Sequence, residues 1–144
     1  MPAFLAAIGL QVLKTWQRDA DERMQVGEEI CAVLRATGYA DQVRVYADPA
    51  LDIVPLRIAF HAEDAPALCA RLQPLIDTNA FWFREALVEA AVDANVLGYN
   101  LGSCPRAEAI APLMINLPCN LGAAANKQLI SALTTALGPL GQKG

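Results

Sequence analysis

From about residue 2 to residue 37 the chain keeps one apolar period without interruption. Leu5, Ile8, Val12, Trp16, Ala20, Met24, Ile30 and Leu34 recur at helical spacing, and Leu13 and Val33 widen the stripe. Between them Lys14, Gln17, Arg18, Asp21, Glu22, Gln25, Glu28 and Glu29 form a polar back. Pro2 suits a first turn, and Gly38 after Thr37 supplies a stop. The pattern predicts one long helix that turns Leu5, Ile8, Val12, Trp16 and Met24 toward a sheet. Gly27 within it costs about 1 kcal/mol relative to Ala, which points to close packing at that position.

After the helix the period changes. Gln42–Ala47 alternates and residues 53–60 are rich in β-formers, so the two segments are expected to pair as antiparallel strands, with Pro55 marking an edge or an irregularity. Asp64 followed by Pro66 reads as a helix start, and Leu68, Cys69, Leu72 and Leu75 continue it toward Pro74. Phe81-Trp82-Phe83 is a third strand candidate. Residues 86–96 read as helix and 97–102 as loop. Pro105 opens a short helix over 106–111, Met114–Leu117 reads as a buried strand, and a last helix runs from about Ala124 to Leu137. No repeat or linker divides the chain. The order implies a single α+β domain over 1–144, a two-layer sandwich. A small, mainly antiparallel sheet of 3–4 strands would be covered by helices that include the long N-terminal one, and residues 138–144 would form a flexible tail.

Composition narrows the function. Residues of the AVILMFWYC set make up 55% of the chain and charged residues 18%, against averages of about 45–50% (with Gly counted in) and about 25%. Such an excess implies that some surface is normally covered, by a second copy or by another domain. The net charge is −4 with no basic cluster, which argues against nucleic acid and anionic membranes as partners. No apolar stretch reaches the length of a membrane span, and the N-terminal residues lack the cationic region of a signal peptide. The expectation is a soluble, cytoplasmic protein. Four cysteines, Cys31, Cys69, Cys104 and Cys119, lie in apolar stretches without paired spacing and read as buried free thiols. With His61 the only histidine, zinc has no ligand pattern.

Chemistry-bearing constellations are sparse. Ser103, Ser131 and the cysteines share one conceivable imidazole partner, His61, with no local triad signature. Glu85, Glu89 and Asp93 at four-residue spacing read as a solvated helix face. The lysines Lys14, Lys127 and Lys143 fall on a polar helix back, a helix start and the tail, so none is suited to Schiff-base chemistry. No residue is assigned a catalytic role. Phe81-Trp82-Phe83-Arg84 is the suggestive cluster: core packing is the ordinary explanation, and a ligand-facing Trp82 beside Arg84 for an anionic group is the other.

Two segments carry a resemblance. Met1–Leu13, read as M-P-A-F-L-A-A-I-G-L-Q-V-L, is similar to the stretch that opens the long helix of the small domain in the DegT/DnrJ/StrS family of nucleotide-sugar aminotransferases. Val12 stands where that family usually has Gln. Cys104–Asn120, which opens C-P-R-A-E-A-I and closes on I-N-L-P-C-N, resembles the family's closing segment, and Leu121–Leu137 falls where its last helix lies.

The resemblance implies a C-terminal small domain of pyridoxal-phosphate enzymes of fold type I. The family's Schiff-base lysine, the aspartate that pairs with the pyridine nitrogen, the stacking aromatic and a phosphate-reaching Asn all fall before the position of Met1. No catalytic or cofactor-binding residue therefore carries over, and pyridoxal phosphate is a cofactor of the family, not one expected on this chain alone. The segment matching 81–101 helps to build the family's substrate mouth, which makes Trp82, Arg84, Tyr99 and Asn100 the substrate-side candidates, without the His-Tyr pair often found there.

The expected function is thus a non-catalytic module that acts by associating with itself or with a separately encoded large domain. The alternatives are a substrate-shaping subunit of a split, active sugar aminotransferase, and a small-ligand-binding module built around a closed apolar pocket.

Overall fold

The computed structural model describes residues 3–48, 51, 53–75 and 96–138. Within them the chain is α+β and mostly helical. The expected single N-terminal helix is two: α1, Ala3–Leu13, and α2, Trp16–Ala36. The break falls at Lys14-Thr15, where the amides of both residues bond back three positions, to the carbonyls of Gln11 and Val12 at 3.3 and 3.1 Å. Thr15 then caps a new helix. Its carbonyl accepts from the Asp19 amide at 3.0 Å and its hydroxyl donates to the Asp19 carboxylate at 2.9 Å. That bond, with Arg18 beside it, holds the Asp19 carboxyl below its ordinary pKa, and a negative charge in the first turn suits the helix dipole.

Only α2 has a buried face, made of Ala20, Val26, Gly27, Ile30, Cys31 and Leu34. Asp21, Glu22, Gln25, Glu28 and Glu29 are exposed, as the polar back requires. The end comes where expected: Gly38 turns the chain at φ 100° and the Tyr39 amide bonds the Leu34 carbonyl at 2.8 Å.

The sheet departs from expectation. Residues 42–47 are not a strand but a turn followed by a 3₁₀ segment, Arg44–Ala47. Strand β1 is short, Arg57–His61, and pairs antiparallel with β2, Met114–Pro118, in the register Ile58 to Leu117 and Phe60 to Ile115. Among the described residues the sheet has these two strands and not three or four. The third candidate, 81–83, lies outside the described residues, as do residues 86–95 of the helix candidate over 86–96, whose last residue, Val96, is turn, and the tail beyond Gly138.

The expected partner of β1 still covers its free edge, with side chains in place of backbone. The Tyr46 hydroxyl accepts from the Ala59 amide at 3.3 Å. The Gln42 amide group accepts from the His61 amide at 2.7 Å and donates to the His61 carbonyl at 3.1 Å. Three edge groups, the Ala59 and His61 amides and the His61 carbonyl, thus find partners without a third backbone ladder, which blunts the edge.

Three further helices follow the expected order: α3, Ala65–Leu72; α4, Pro105–Ile110; and α5, Ala123–Leu137, flanked by Gly122 and Gly138 at φ 85° and 66°. Asp64 precedes α3, but its carboxylate pairs with Arg71 at 3.2 Å and makes no cap bond. One face of the sheet, Ile58, Phe60, Ile115 and Leu117, packs on α2, α3 and α5 through Ile30, Leu34, Leu68, Leu72, Leu129 and Leu133, all buried. Tyr39 meets Phe60 edge to face at 5.1 Å. At Gly27, α2 lies close against the chain entering β1. A Cβ there would stand 2.7 Å from the Pro55 ring, so the expected close packing is present.

Candidate interaction surface

The residues assigned to a substrate side divide. Trp82 and Arg84 lie outside the described residues, as do Glu85, Glu89 and Asp93. Tyr99 is half-buried and its hydroxyl donates to Glu108 at 2.5 Å. The same Glu108 oxygen accepts from the Gly102 amide at 2.8 Å and from the Cys104 amide at 3.4 Å. One carboxylate from α4 thus fastens the preceding loop, and Asn100 sits exposed in that loop with its carbonyl accepting from the Ser103 amide at 3.0 Å. The Tyr99 bond and the Gly102 amide hold the Glu108 carboxyl below its ordinary pKa, and the same contact raises that of Tyr99. This is a loop staple. Sequence reasoning quoted Glu108 in the C-P-R-A-E run but gave it no role, since its spacing from Cys104 matches no capping box.

His61 and two of the four cysteines are held or buried. His61 Nδ1 lies 2.6 Å from Gln42 Oε1, an acceptor, so that nitrogen carries the proton and the ring is held at the strand end. Cys31 and Cys119 are buried free thiols; burial raises both, Cys119 to about 11. Cys69 is half-buried. Cys104 departs from the expectation of burial and is exposed, because α4 has no buried residue to draw it inward. No group of three metal-ligating side chains occurs among the described residues.

An open groove of about 420 Å³ runs between α2 and the segment leading to β1, floored by Met24, Tyr46, Ile53 and Pro55 and rimmed by Asp21 and Glu28. It lacks the closed apolar form that the small-ligand reading asks for. The buried polar atoms Asn116 Nδ2 and Asn126 Oδ1 make no hydrogen bond among the described residues, and neither residue lines the groove.

What stands out instead is α1. None of its residues is buried. The expectation that Leu5, Ile8, Val12 and Trp16 pack on the sheet is overturned: all four are exposed, Trp16 by 57% and Phe4 beside them by 72%. The cause is the break at Thr15, which uncouples α1 from the buried face of α2. Between Ala3 and Leu13 the only polar side chain is Gln11. A helix apolar all round is ordinarily covered by something. At eleven residues α1 is about 16 Å long, well short of a bilayer core of ~30 Å, and no described helix is long and apolar enough to cross a membrane. In the loop before α4, Val96, Leu97 and Leu101 are exposed as well.

Compared with models of protein families, with curated proteins and with solved structures, the chain matches none.

Proposed function

We propose that this chain is a module of the kind found as the small domain of DegT/DnrJ/StrS aminotransferases, and that it acts by association through α1 without transaminating on its own. The observation that carries the reading is an eleven-residue apolar helix with no buried residue, joined to a domain with a buried core of its own. Other features are consistent with it. The segment that resembles the family's closing stretch forms α4 and β2, and Glu108 of its C-P-x-A-E run holds the adjacent loop. The described lysines, Lys14 in the turn between α1 and α2 and Lys127 on α5, are both exposed and outside the groove, whereas a Schiff-base lysine needs a pocket that lowers its pKa. Any aminotransferase chemistry would come from a large domain against which α1 seats.

The test is sedimentation velocity of the chain alone and with a separately produced large domain of a family aminotransferase. Self-association in the micromolar range, or a stable complex with the large domain, is the expected result. A monomer at every concentration up to about 100 μM that also ignores the large domain sinks the reading.

A further inference from the structure

We propose that the flank of α2 facing Tyr46 holds a short, basic, extended segment of a partner protein, with an Arg or Lys set against Glu28 and another, three residues away, against Asp21. The site shares no residue with α1, so the proposal stands apart from the association reading above.

Shape comes first. The groove of about 420 Å³ does not stop at Glu28 and Tyr46. The same two residues line a second hollow of about 430 Å³, which continues toward Cys31 and Arg35. Asp21, Met24, Glu28, Ala32 and Arg35 follow at three- and four-residue steps and so lie along one flank of α2. From Asp21 to Arg35 that flank is about 21 Å long, at ~1.5 Å per residue. An open trough of this length suits a length of chain rather than an enclosed small molecule.

Backbone chemistry narrows the conformation. One wall is a helix, whose amides and carbonyls bond one another, and the Tyr46 hydroxyl opposite is engaged by the Ala59 amide. Ile58, the residue of β1 that reaches the trough, is already paired with Leu117. A visiting strand thus finds no ladder to join there. Polyproline II is the extended form that needs none, repeating every ~3 residues with a rise of ~3.1 Å each. Charges three residues apart on such a segment lie about 9 Å apart on one edge. Asp21 and Glu28 are separated by about 10 Å along the axis of α2.

Charge sets the sign of the partner. Among the described residues, the charged side chains lining the first hollow are Asp21, Glu28 and Asp48, all acidic and exposed, above a floor of Met24, Ile53 and Pro55. Glu28 enters no ion pair among the described residues. Carboxylates over an apolar floor match the aliphatic stem and charged head of Lys or Arg, and the Tyr46 ring offers a face to a guanidinium. The net charge of −4 favours the same encounter at longer range.

The experiment titrates the full ¹⁵N-labelled chain with three peptides and follows its amide chemical shifts. They are acetyl-RPLRPL-amide, its acidic counterpart acetyl-EPLEPL-amide, and acetyl-RGSRGS-amide, which keeps the charges without the apolar body. The first should saturate below ~1 mM, with shifts centred on Gly27, Glu28 and Tyr46, and the other two should bind at least roughly tenfold more weakly. Asp21→Lys with Glu28→Lys should lose the basic peptide and accept the acidic one. Asp21→Asn with Glu28→Gln, gentler on the helix, should weaken the basic peptide about fivefold. Both pairs replace exposed side chains, so circular dichroism should match the parent. A basic peptide that has not saturated by ~1 mM, that shifts amides elsewhere, or that ignores both pairs of substitutions overturns the proposal. Equal binding of the RGSRGS peptide also overturns it, since charge alone would then suffice without the trough. None of these outcomes alters the association through α1, which sedimentation reads separately.

Discussion

Gly27 lies in the interior of α2, where Ala would ordinarily be preferred by about 1 kcal/mol. The position is crowded, since an added Cβ would meet Pro55 Cγ at 2.7 Å and Ile58 Cδ1 at 3.6 Å. Overpacking of this kind costs about 1–3 kcal/mol, so Gly27→Ala should destabilise by about 1 kcal/mol net in urea unfolding. Adding Pro55→Ala should recover part of that loss, and strictly additive effects would show that the two residues do not collide. The glycine was legible in the sequence as a helix residue out of place; Pro55 as its cause was not, because the contact is tertiary. Glu108 behaves differently. Its carboxyl is held below the ordinary value, chiefly by Tyr99. A group whose folded pKa lies below its unfolded value, ~4.3 for Glu, contributes fully above that value and loses its effect as pH falls through the folded pKa. Amide exchange at Gly102 and Cys104, corrected for the intrinsic rate, should accelerate on acidification below about pH 4 and at neutral pH in Glu108→Gln, with little change in global melting. Protection that ignores both changes would mean that the staple does not hold the loop.

At the scale of elements, the helices that carry their own punctuation were legible. Pro105 opens α4, α5 runs nearly as read, and Gly38 closes α2. The break at Thr15 was missed because an apolar period can continue across a turn when one side of it has no polar face to define a direction. The pairing of β1 was missed for a different reason: residues 42–47 do lie along its edge, but Gln42 and Tyr46 reach it with side chains, while the backbone partner comes from 114–118. Alternation alone does not separate these two solutions. The corrected register of the helices has a direct consequence. Ile30, fully buried against the sheet and α5, should lose about 2–5 kcal/mol on Ile30→Ala. Trp16→Ala, at a residue 57% exposed, should stay within about 0.5 kcal/mol when unfolding is followed at a concentration that keeps the chain monomeric. Equal losses at the two positions would contradict the break at Thr15.

For the whole molecule, the apolar residues that the structure describes include two distinct populations. One is the core shared by α2, α3, α5 and the sheet, and the other is α1 with its flanking Trp16, none of which is buried. Composition revealed the excess, but its location depended on where the helix breaks, and the substrate-side assignment of Trp82 and Arg84 concerns residues outside those described. The two populations should be separable. Because α2 begins at Thr15 with its own first-turn carboxylate, Asp19, removing residues 1–13 should leave that helix and the core as they are. The shortened chain should unfold at the same denaturant midpoint as the parent when both are dilute, and with nearly the same steepness, since the surface exposed on unfolding is nearly unchanged. It should also lose concentration-dependent association, and with it the strengthening that sulfate brings to apolar contacts in the parent. Unfolding midpoints at about 1 μM and sedimentation at about 100 μM, with and without sulfate, measure both halves. A shortened chain that melts markedly earlier when dilute would place α1 in the core, and one that still associates would move the sticky surface to the exposed cluster at Val96, Leu97 and Leu101.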